Sequence, residues 1–435
     1  MMNVECSPFI IPHSSFIIMA LPPALRHRDF RLLWLGLLIS VSGSMMQNAA
    51  ILWHIYDVSH NPIALGAVGL VRIAPVILFS LISGLAADTF DRRKLMILTQ
   101  SGMALCAFLL GLLAFLGVKA VWSIYGLAAL SAAFGAFDLP ARQALIPSLV
   151  PREDLPNAFS VGSIMFQAAS ITGPALSGIV IGQAGLHWAY WFNAASFLAV
   201  IVALLAMKTR PAVAREDRPG VSLAAALDGL RFVRSTPIIL SSMILDFVAN
   251  FFSSATVLLP IYAKDILRVG PEGYGWLYAA AAVGAIVTAI ILSFVRRIPR
   301  QGATLLAAVF VYGAATVLFG FATTFAVAFF ALALNGAADA VSTVIRQTVR
   351  QLNTPDHMRG RMVSVNQIFF MGGPQLGELE AGLVAGWFGA PFSVVSGGVG
   401  CILATLWVMG KWPQLWRYDL PPVGAAAEAK PSAAG

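Results

Sequence analysis

The sequence predicts an all-α integral membrane protein of twelve transmembrane helices in two six-helix bundles. Three observations predict it: long apolar runs recur along the chain, basic residues alternate by loop, and the two halves repeat. Of 435 residues, 58% are hydrophobic and 11% charged, too little charge to solvate a water-soluble chain of this length. Crossing ~30 Å of hydrocarbon takes roughly 20 apolar residues. Stretches of that kind fall at 31–56, 62–86, 95–117, 121–146, 158–183 and 188–207, and again at 236–263, 273–295, 303–322, 325–349, 363–387 and 391–410. The runs are continuous, which predicts helices; barrel strands alternate over about ten residues.

Ahead of the first span, Ser7-Pro8-Phe9-Ile10-Ile11 is nearly repeated as Ser14-Ser15-Phe16-Ile17-Ile18, before a second candidate start at Met19. The stretch is too short and too uncharged at its front for a signal peptide. Residues 1–18 are therefore expected to be a disordered extension or a mis-start, followed by an N-terminal bundle over 19–207.

The net charge of +8 raises nucleic acid as a partner, and the positions of the basic residues exclude it. With the N-terminus cytoplasmic, 24 of the 28 Lys and Arg fall inside. Lys119, Lys264 and Arg268 fall outside, and Arg72 lies within span 2. This is the positive-inside pattern, with both termini expected in the cytoplasm. The charge reports topology, and the bilayer is the partner it implies. Cys6, Cys106 and Cys401 are odd in number and far apart, so neither a disulfide framework nor a metal cluster is implied, and no cofactor is expected.

The repeat is explicit. Gly135-Ala136-Phe137-Asp138 followed by Ala141-Arg142-Gln143, Pro151 and Ser160-Val161 is echoed by Gly336-Ala337-Ala338-Asp339 with Ile345-Arg346-Gln347, Pro355 and Ser364-Val365. Gly173-Pro174 with Gly178 in span 5 is echoed by Gly373-Pro374 with Gly377 in span 11, and His54-Ile55-Tyr56 ends span 1 where Pro260-Ile261-Tyr262 ends span 7. Two six-span units in one orientation predict a parallel pseudo-repeat with the substrate path between the halves. Residues 208–235 form the seam: a basic stretch broken by Pro219-Gly220, then Leu223, Leu227 and Leu230 at helical spacing beside Arg231 and Arg234. That spacing predicts an amphipathic linker helix on the cytoplasmic surface. The second bundle is expected over 236–412 and a disordered cytoplasmic tail over 413–435.

Between spans 2 and 3 stand Gly84, Asp88, Asp91, Arg92, Arg93 and Lys94. Gly84 permits close helix approach, Asp88 can accept from a helix N-terminus or an Arg, and the basic run anchors the cytoplasmic face. This resembles the signature of the major facilitator superfamily, with Asp91 in place of the usual glycine. The resemblance implies that Asp88 helps latch the two halves in one conformation. The equivalent loop of the second half, 295–300, keeps charge but lacks the acid. From Arg26 onward Phe30-Arg-Leu-Leu-Trp34, Ala141-Arg-Gln-Ala-Leu-Ile-Pro147, Leu155-Pro-Asn-Ala158, Leu258-Leu-Pro-Ile-Tyr262 and Gly377-Glu-Leu-Glu-Ala-Gly382 resemble the enterobactin-exporter-like branch. That branch implies efflux of siderophores or of unrelated toxic compounds. Gly173-Pro174-x-x-Ser177-Gly178 is similar to the antiporter motif of drug exporters, although Ser160 and Ala169 replace preferred glycines.

Polar groups inside a membrane are costly and mark sites or partners. Asp138 and Asp339 are repeat-related on spans 4 and 10, which the resemblance places at the central cavity. Asp246 stands in span 7 with Asn250 one turn on, and span 1 supplies Ser40, Ser44, Gln47 and Asn48. Proton-coupled export needs a carboxyl whose pKa is raised toward neutrality, and Asp246 and Asp339 are the first choices for it. The structural alternative pairs Asp138 with Arg142 and Asp339 with Arg346. Arg72 in span 2 and Glu378 in span 11 make a candidate outer gate pair, because the resemblance makes those spans neighbours; Glu380 points to another face and is left free to titrate.

The expectation is a monomeric secondary transporter in the bacterial cytoplasmic membrane, exporting a small molecule in exchange for protons. An uptake permease of the same fold is the alternative. An enzyme is disfavoured because no metal-spaced cluster or nucleophile motif appears, and no Gly-x-x-x-x-Gly-Lys-Ser/Thr loop suggests ATP drive.

Overall fold

A computed structural model of the chain describes residues 22–209, 223–252, 254–295, 298–355 and 358–419, apart from some side chains within them, that of Asp88 included. The proposed extension 1–18, residues 210–222 of the linker and residues 420–435 lie outside the described residues. In chain order the helices are α1 (Pro23–Arg26), α2 (Arg28–Ser59), α3 (Pro62–Thr89), α4 (Arg92–Phe115), α5 (Val121–Leu145), α6 (Leu155–Gln183), α7 (Leu186–Ala206) and α8 (Leu223–Ser235). There follow α9 (Pro237–Phe252), α10 (Leu259–Ile261), α11 (Gly270–Phe294), α12 (Gln301–Gly320), α13 (Phe325–Leu352), α14 (Arg359–Phe388), α15 (Ala390–Lys411) and α16 (Pro413–Trp416). No strand occurs among the described residues.

Eleven stretches among the described residues are long and apolar enough to span a bilayer. The remaining expected span, span 11 at 363–387, coincides with α14, 30 residues long but not among those eleven. Helices win here because hydrocarbon offers no partner to an exposed peptide group, so each span must satisfy its own. The outer surface carries large apolar side chains such as Ile77, Leu78, Trp122 and Phe294, 65% to 83% exposed, which in water would be a liability and in lipid is the solvated face.

Starts and stops follow local chemistry. Asn61 caps α3 by accepting from the Ile63 amide at 2.9 Å, with Pro62 at the first helical position. Span 7 does not run as one helix. Its first part, α9, gives way to a 3-10 turn at Ala255–Leu258, the short α10 and a π turn at Tyr262–Ile266. Pro260 has no amide to donate within this stretch, and Ser254 Oγ bonds the carbonyl of Asn250 at 2.7 Å.

The helix pairs of the first half recur in the second. α2 packs on α7 and α6, α3 on α5, and α4 on α5 and α7. Correspondingly, α9 packs on α15 and α14, α11 on α13, and α12 on α13 and α15. The two most extensive contacts between the halves, α3 with α14 and α6 with α11, are themselves repeat-related. The short turns before α7 and α15 match as well: Gly185 and Gly389 occupy φ of 99° and 90°, a region that favours glycine.

The seam and tail depart in detail from expectation. In α8 Gly229 and Val233 face α14, Val233 being fully buried, whereas Leu230 is 48% exposed. Asp228 meets Arg361 of α14 at 3.3 Å. Residues 413–419 of the tail pack on the second half: Leu415 is buried, the Tyr418 carbonyl accepts from the Gly302 amide at 2.9 Å, and Asn353 reaches the Tyr418 hydroxyl at 2.9 Å. This docking occupies an otherwise orphaned amide at the start of α12.

Candidate transport site

The loops rich in Arg and Lys define one end of the bundle, called here the basic end. Its caps are built from the signature residues. Asp91 is the N-cap of α4, accepting from the Arg93 and Lys94 amides at 2.9 and 3.3 Å. Arg92 donates to the Ala144 carbonyl of α5 at 3.0 Å, and Arg93 donates to Leu205 and Met207 at the end of α7 at 3.1 and 3.3 Å. Asp29 accepts from the Lys208 and Thr209 amides at 3.1 and 2.8 Å. Gly84, expected at a close helix contact, has open space where its β-carbon would stand. The latch proposed for Asp88 lies outside the described side chains.

A cavity of about 830 Å³ occupies the first half, lined by α2, α4, α5 and α6. Its wall includes Phe30, Arg142, Gln143 and Ile146 at the basic ends of their helices, so it opens there. Asp138, 5% exposed, is its acid. Carboxylate Oδ1 accepts from Thr99 Oγ1 at 3.1 Å and Gln100 Nε2 at 2.9 Å. The alternative pairing with Arg142 is not made within 4 Å; both neutral donors of α4 lie on Oδ1. Arg142 lines the same cavity. Gln100 is the polar residue that sequence reasoning passed over; its place inside an apolar span was the available signal.

The opposite end is closed by contacts between halves. Gly178 of α6 lies against Gly275 of α11, and Gly66 of α3 against Gly382 of α14. Pro174 belongs to the first contact: a β-carbon on Gly275 would stand 2.6 Å from its carbonyl oxygen. Gly173 instead seats α6 on α2, facing Met45 and the Ser42 carbonyl. Tyr274 donates to the Ala49 carbonyl at 2.8 Å, Lys264 meets Asp57 at 2.5 Å, and Tyr56 bonds Asp265.

Asp246, 3% exposed, does not line the cavity of the first half. It bridges Arg346 Nη1 at 2.8 Å and Arg350 Nη2 at 3.1 Å, and accepts from Asn250 Nδ2 at 2.9 Å. Arg346 also meets Asp339 at 3.2 Å, and Arg350 donates to Asn366 at 2.5 Å. Two acids and two arginines thus form one neutral cluster joining α9, α13 and α14. Arg346 and Arg350, two of the 24 basic residues placed inside by the charge pattern, are 3% and 5% exposed within α13. Their spacing of i, i+4, one helix face, was the signal.

The Arg72–Glu378 pair is not closed within 4 Å. Arg72 donates to Asn48 Oδ1 at 2.8 Å instead, while Glu378 lies beside Gly69, whose β-carbon would come 2.9 Å from Oε2. Gly69 is three residues before Arg72, roughly 4.5 Å along the helix, which separates the two charged groups. Glu380 on the same helix is half-buried. Gln47 accepts from Asn193 of α7 at 2.8 Å, inside the first half.

An all-helical bundle of two repeated halves, with a largely apolar cavity around Asp138 in the first half and the halves packed together at the end opposite the basic one, defines a membrane transporter rather than an enzyme. The chain belongs to the major facilitator superfamily: the family described as transmembrane secretion effector matches residues 19–427. It is 31% identical over 339 residues to the multidrug efflux pump Tap of Mycolicibacterium fortuitum, covering 75% of this chain and 82% of that one. Against the enterobactin exporter EntS of Salmonella typhimurium it is 25% identical over 402 residues, 92% and 96% of the two chains. The fold matches a bacterial homologue of the lysosomal transporter Spinster, solved inward-facing and unoccupied, with TM-score 0.72 at 15% identity, over 92% of this chain and 100% of that one.

Proposed function

We propose that this chain exports a small molecule, siderophore-like or drug-like, from the bacterial cytoplasm by alternating access in exchange for protons, as a monomer. The basic end is the cytoplasmic face on the positive-inside rule, with both termini there. The carrying observation is the cavity around Asp138, open at the basic end while the other end is packed shut, which is the geometry of a carrier loading from inside. Relatives named for multidrug efflux and enterobactin export support the outward direction.

The coupling proton belongs on Asp138 in preference to Asp246 and Asp339. Those two acids each contact an arginine, which competes with a proton for the carboxylate. Asp138 contacts only neutral donors and faces the cavity, where substrate and proton can exclude each other.

The test is metabolite profiling of medium and cells of a deletion strain grown with and without iron limitation, with an uncoupler control. An exporter leaves its substrate in the cells of the deletion strain, and the uncoupler reproduces that retention in the parent strain. Unchanged pools in both conditions would overturn the siderophore reading, and depletion inside the deletion strain would favour uptake.

A further inference from the structure

Two grooves lie end to end along the seam between α2 and α7, on the side of α2 turned away from the cavity. The groove nearer the basic end, about 370 Å³, runs between Leu32, Leu35 and Ile39 of α2 and Leu198 and Val202 of α7. The second, about 460 Å³, continues from Ile39 to Met46 and is bounded by Phe192 of α7 and Leu176 of α6. Ile39 belongs to both. From Leu32 to Met46 the pair runs ~21 Å at 1.5 Å per residue, somewhat more than the ~15 Å of one leaflet's hydrocarbon and short of the ~30 Å that a partner helix would follow.

The polar groups of the grooves are engaged within the protein. Ser42 Oγ and Thr172 Oγ1 bond each other at 3.3 Å, and Ser196 donates to the Asn193 carbonyl at 2.7 Å. A polar solute finds nothing there, and a hydrocarbon chain finds a fitted surface. The second half closes the corresponding place. Counted back from the matched Tyr56 and Tyr262, Phe252 stands where Met46 stands; counted on from Gly185 and Gly389, Gly400 stands where Ser196 stands. A β-carbon on Gly400 would come 2.8 Å from Phe252 Cδ1, so a phenyl ring fills the place that the first half leaves open.

The basic end of the seam is charged. Arg28 and Arg31 stand one turn before Leu32 and Leu35, on the groove face of α2, and both are exposed. Arg28 Nη1 is 3.5 Å from Asp29 Oδ1, and Asp29 Oδ2 accepts from the Lys208 amide at 3.1 Å. Asp29 thereby brings the end of α7, with its exposed Lys208, to the same point. The acid itself is buried and bonded to amides, so the face presented to headgroups is positive.

We infer that this seam binds an anionic phospholipid from the leaflet at the basic end, with its phosphate at Arg28, Arg31 and Lys208 and one acyl chain laid past Leu35 and Ile39 toward Met46. An apolar groove alone selects nothing in a bilayer, because lipid tails are as apolar as leucine. Basic residues at the headgroup level select for negative charge, and the groove below them fixes where the selected lipid stays. The bound chain touches α2 and α7 together and so ties the two helices along the groove.

Native mass spectrometry of the purified full-length protein in detergent tests this, titrated with phosphatidylglycerol and, separately, with phosphatidylcholine of the same chains. Tighter binding of phosphatidylglycerol is expected. Arg28→Gln with Arg31→Gln should raise its Kd about twentyfold, from about fivefold for each charge, and remove most of the preference over phosphatidylcholine. Val202→Trp fills the groove from its rim, at a position 63% exposed, and should weaken both lipids while keeping the preference for the anionic one. Lys411→Gln with Arg417→Gln removes the same charge from exposed positions elsewhere on the basic end and should leave the Kd unchanged.

Equal affinity of the wild type for the two lipids overturns the inference. So does a Lys411 and Arg417 pair that weakens phosphatidylglycerol as much as the Arg28 and Arg31 pair, which would reduce the effect to the general basic belt. A dimer that forms without added lipid and is lost in Val202→Trp would give the groove to a second copy and overturn it as well. Should the double substitution at Arg28 and Arg31 unfold, Arg31→Gln alone decides: a rise in Kd of about fivefold supports the site, and no change removes it.

Discussion

Gly178 and Gly275 meet backbone to backbone across the two halves: a β-carbon on Gly178 would stand 2.9 Å from the Cα of Gly275. Neither neighbour is the end of a flexible side chain, so neither can yield. Gly275→Val is expected to hold the mouth opposite the basic end apart. Overpacking typically costs about 1–3 kcal/mol, which favours the outward-open form by roughly five- to hundredfold. Spin labels on the exposed loop residues Lys119 and Arg268 read this as a longer distance between the halves. An unchanged distance distribution would mean that the contact is not the closing one.

The cluster around Asp246 predicts a stability effect rather than a coupling effect. Asp246 and its partners Arg346 and Arg350 are all nearly fully buried. Asp246→Asn leaves two guanidinium groups without their bridging carboxylate, and breaking a buried pair in this way costs about 3–5 kcal/mol. Chemical unfolding of the purified protein should show that loss. Adding Arg350→Met, which removes one orphaned charge, should recover part of it. If Asp246→Asn is instead stable and blocks only proton-driven transport, the coupling role passes from Asp138 to Asp246.

Asp91 predicts a smaller effect of known sign. Its carboxylate caps α4 through two amides, so Asp91→Ala should cost about 1 kcal/mol and Asp91→Gly only a few tenths. Glycine at this position, usual in the superfamily signature, is thus an almost neutral exchange here. Unfolding midpoints of the two variants check the order, and an unchanged midpoint in Asp91→Ala would show that the capping bonds contribute nothing.

The span boundaries and the repeat were legible because both are properties of local sequence: apolar run length, loop charge, and matched landmarks such as Asp138 and Asp339. Partners were less legible. The donor to Asp246 stands 104 residues away on α13, and Arg350 looks in sequence like any other basic residue at the end of a span. Asp138 was visible as an acid in lipid, but its neutral donors Thr99 and Gln100, 39 and 38 residues earlier, carry no charge to flag them. The two repeat-related acids have also diverged, one held by an amide and a hydroxyl, the other by an arginine. Symmetry of sequence therefore located both residues without revealing that their surroundings differ. Glycine contacts such as Gly66 with Gly382 depend on which helix faces which, and that is set by the assembled halves.

Arg72 sits between two competitors, and this yields a prediction in the opposite direction from that for Gly275. Asn48, its partner at 2.8 Å, belongs to the same half, whereas Glu378 belongs to the other. In a medium of low dielectric the attraction between Arg72 and Glu378 stays strong beyond contact distance. Asn48 therefore draws the guanidinium away from a bond that would tie the halves together. Asn48→Leu should release Arg72 toward Glu378 and stabilise the closed mouth; a hydrogen bond to a charged group is worth about 1.5–3 kcal/mol, so the outward-open population should fall about tenfold or more. Asn48→Asp should hold Arg72 more firmly within its own half and raise that population. The label pair at Lys119 and Arg268 reads both changes, and Glu378→Gln should abolish the effect of Asn48→Leu. A distance distribution that ignores all three substitutions would remove Arg72 and Glu378 from the gate.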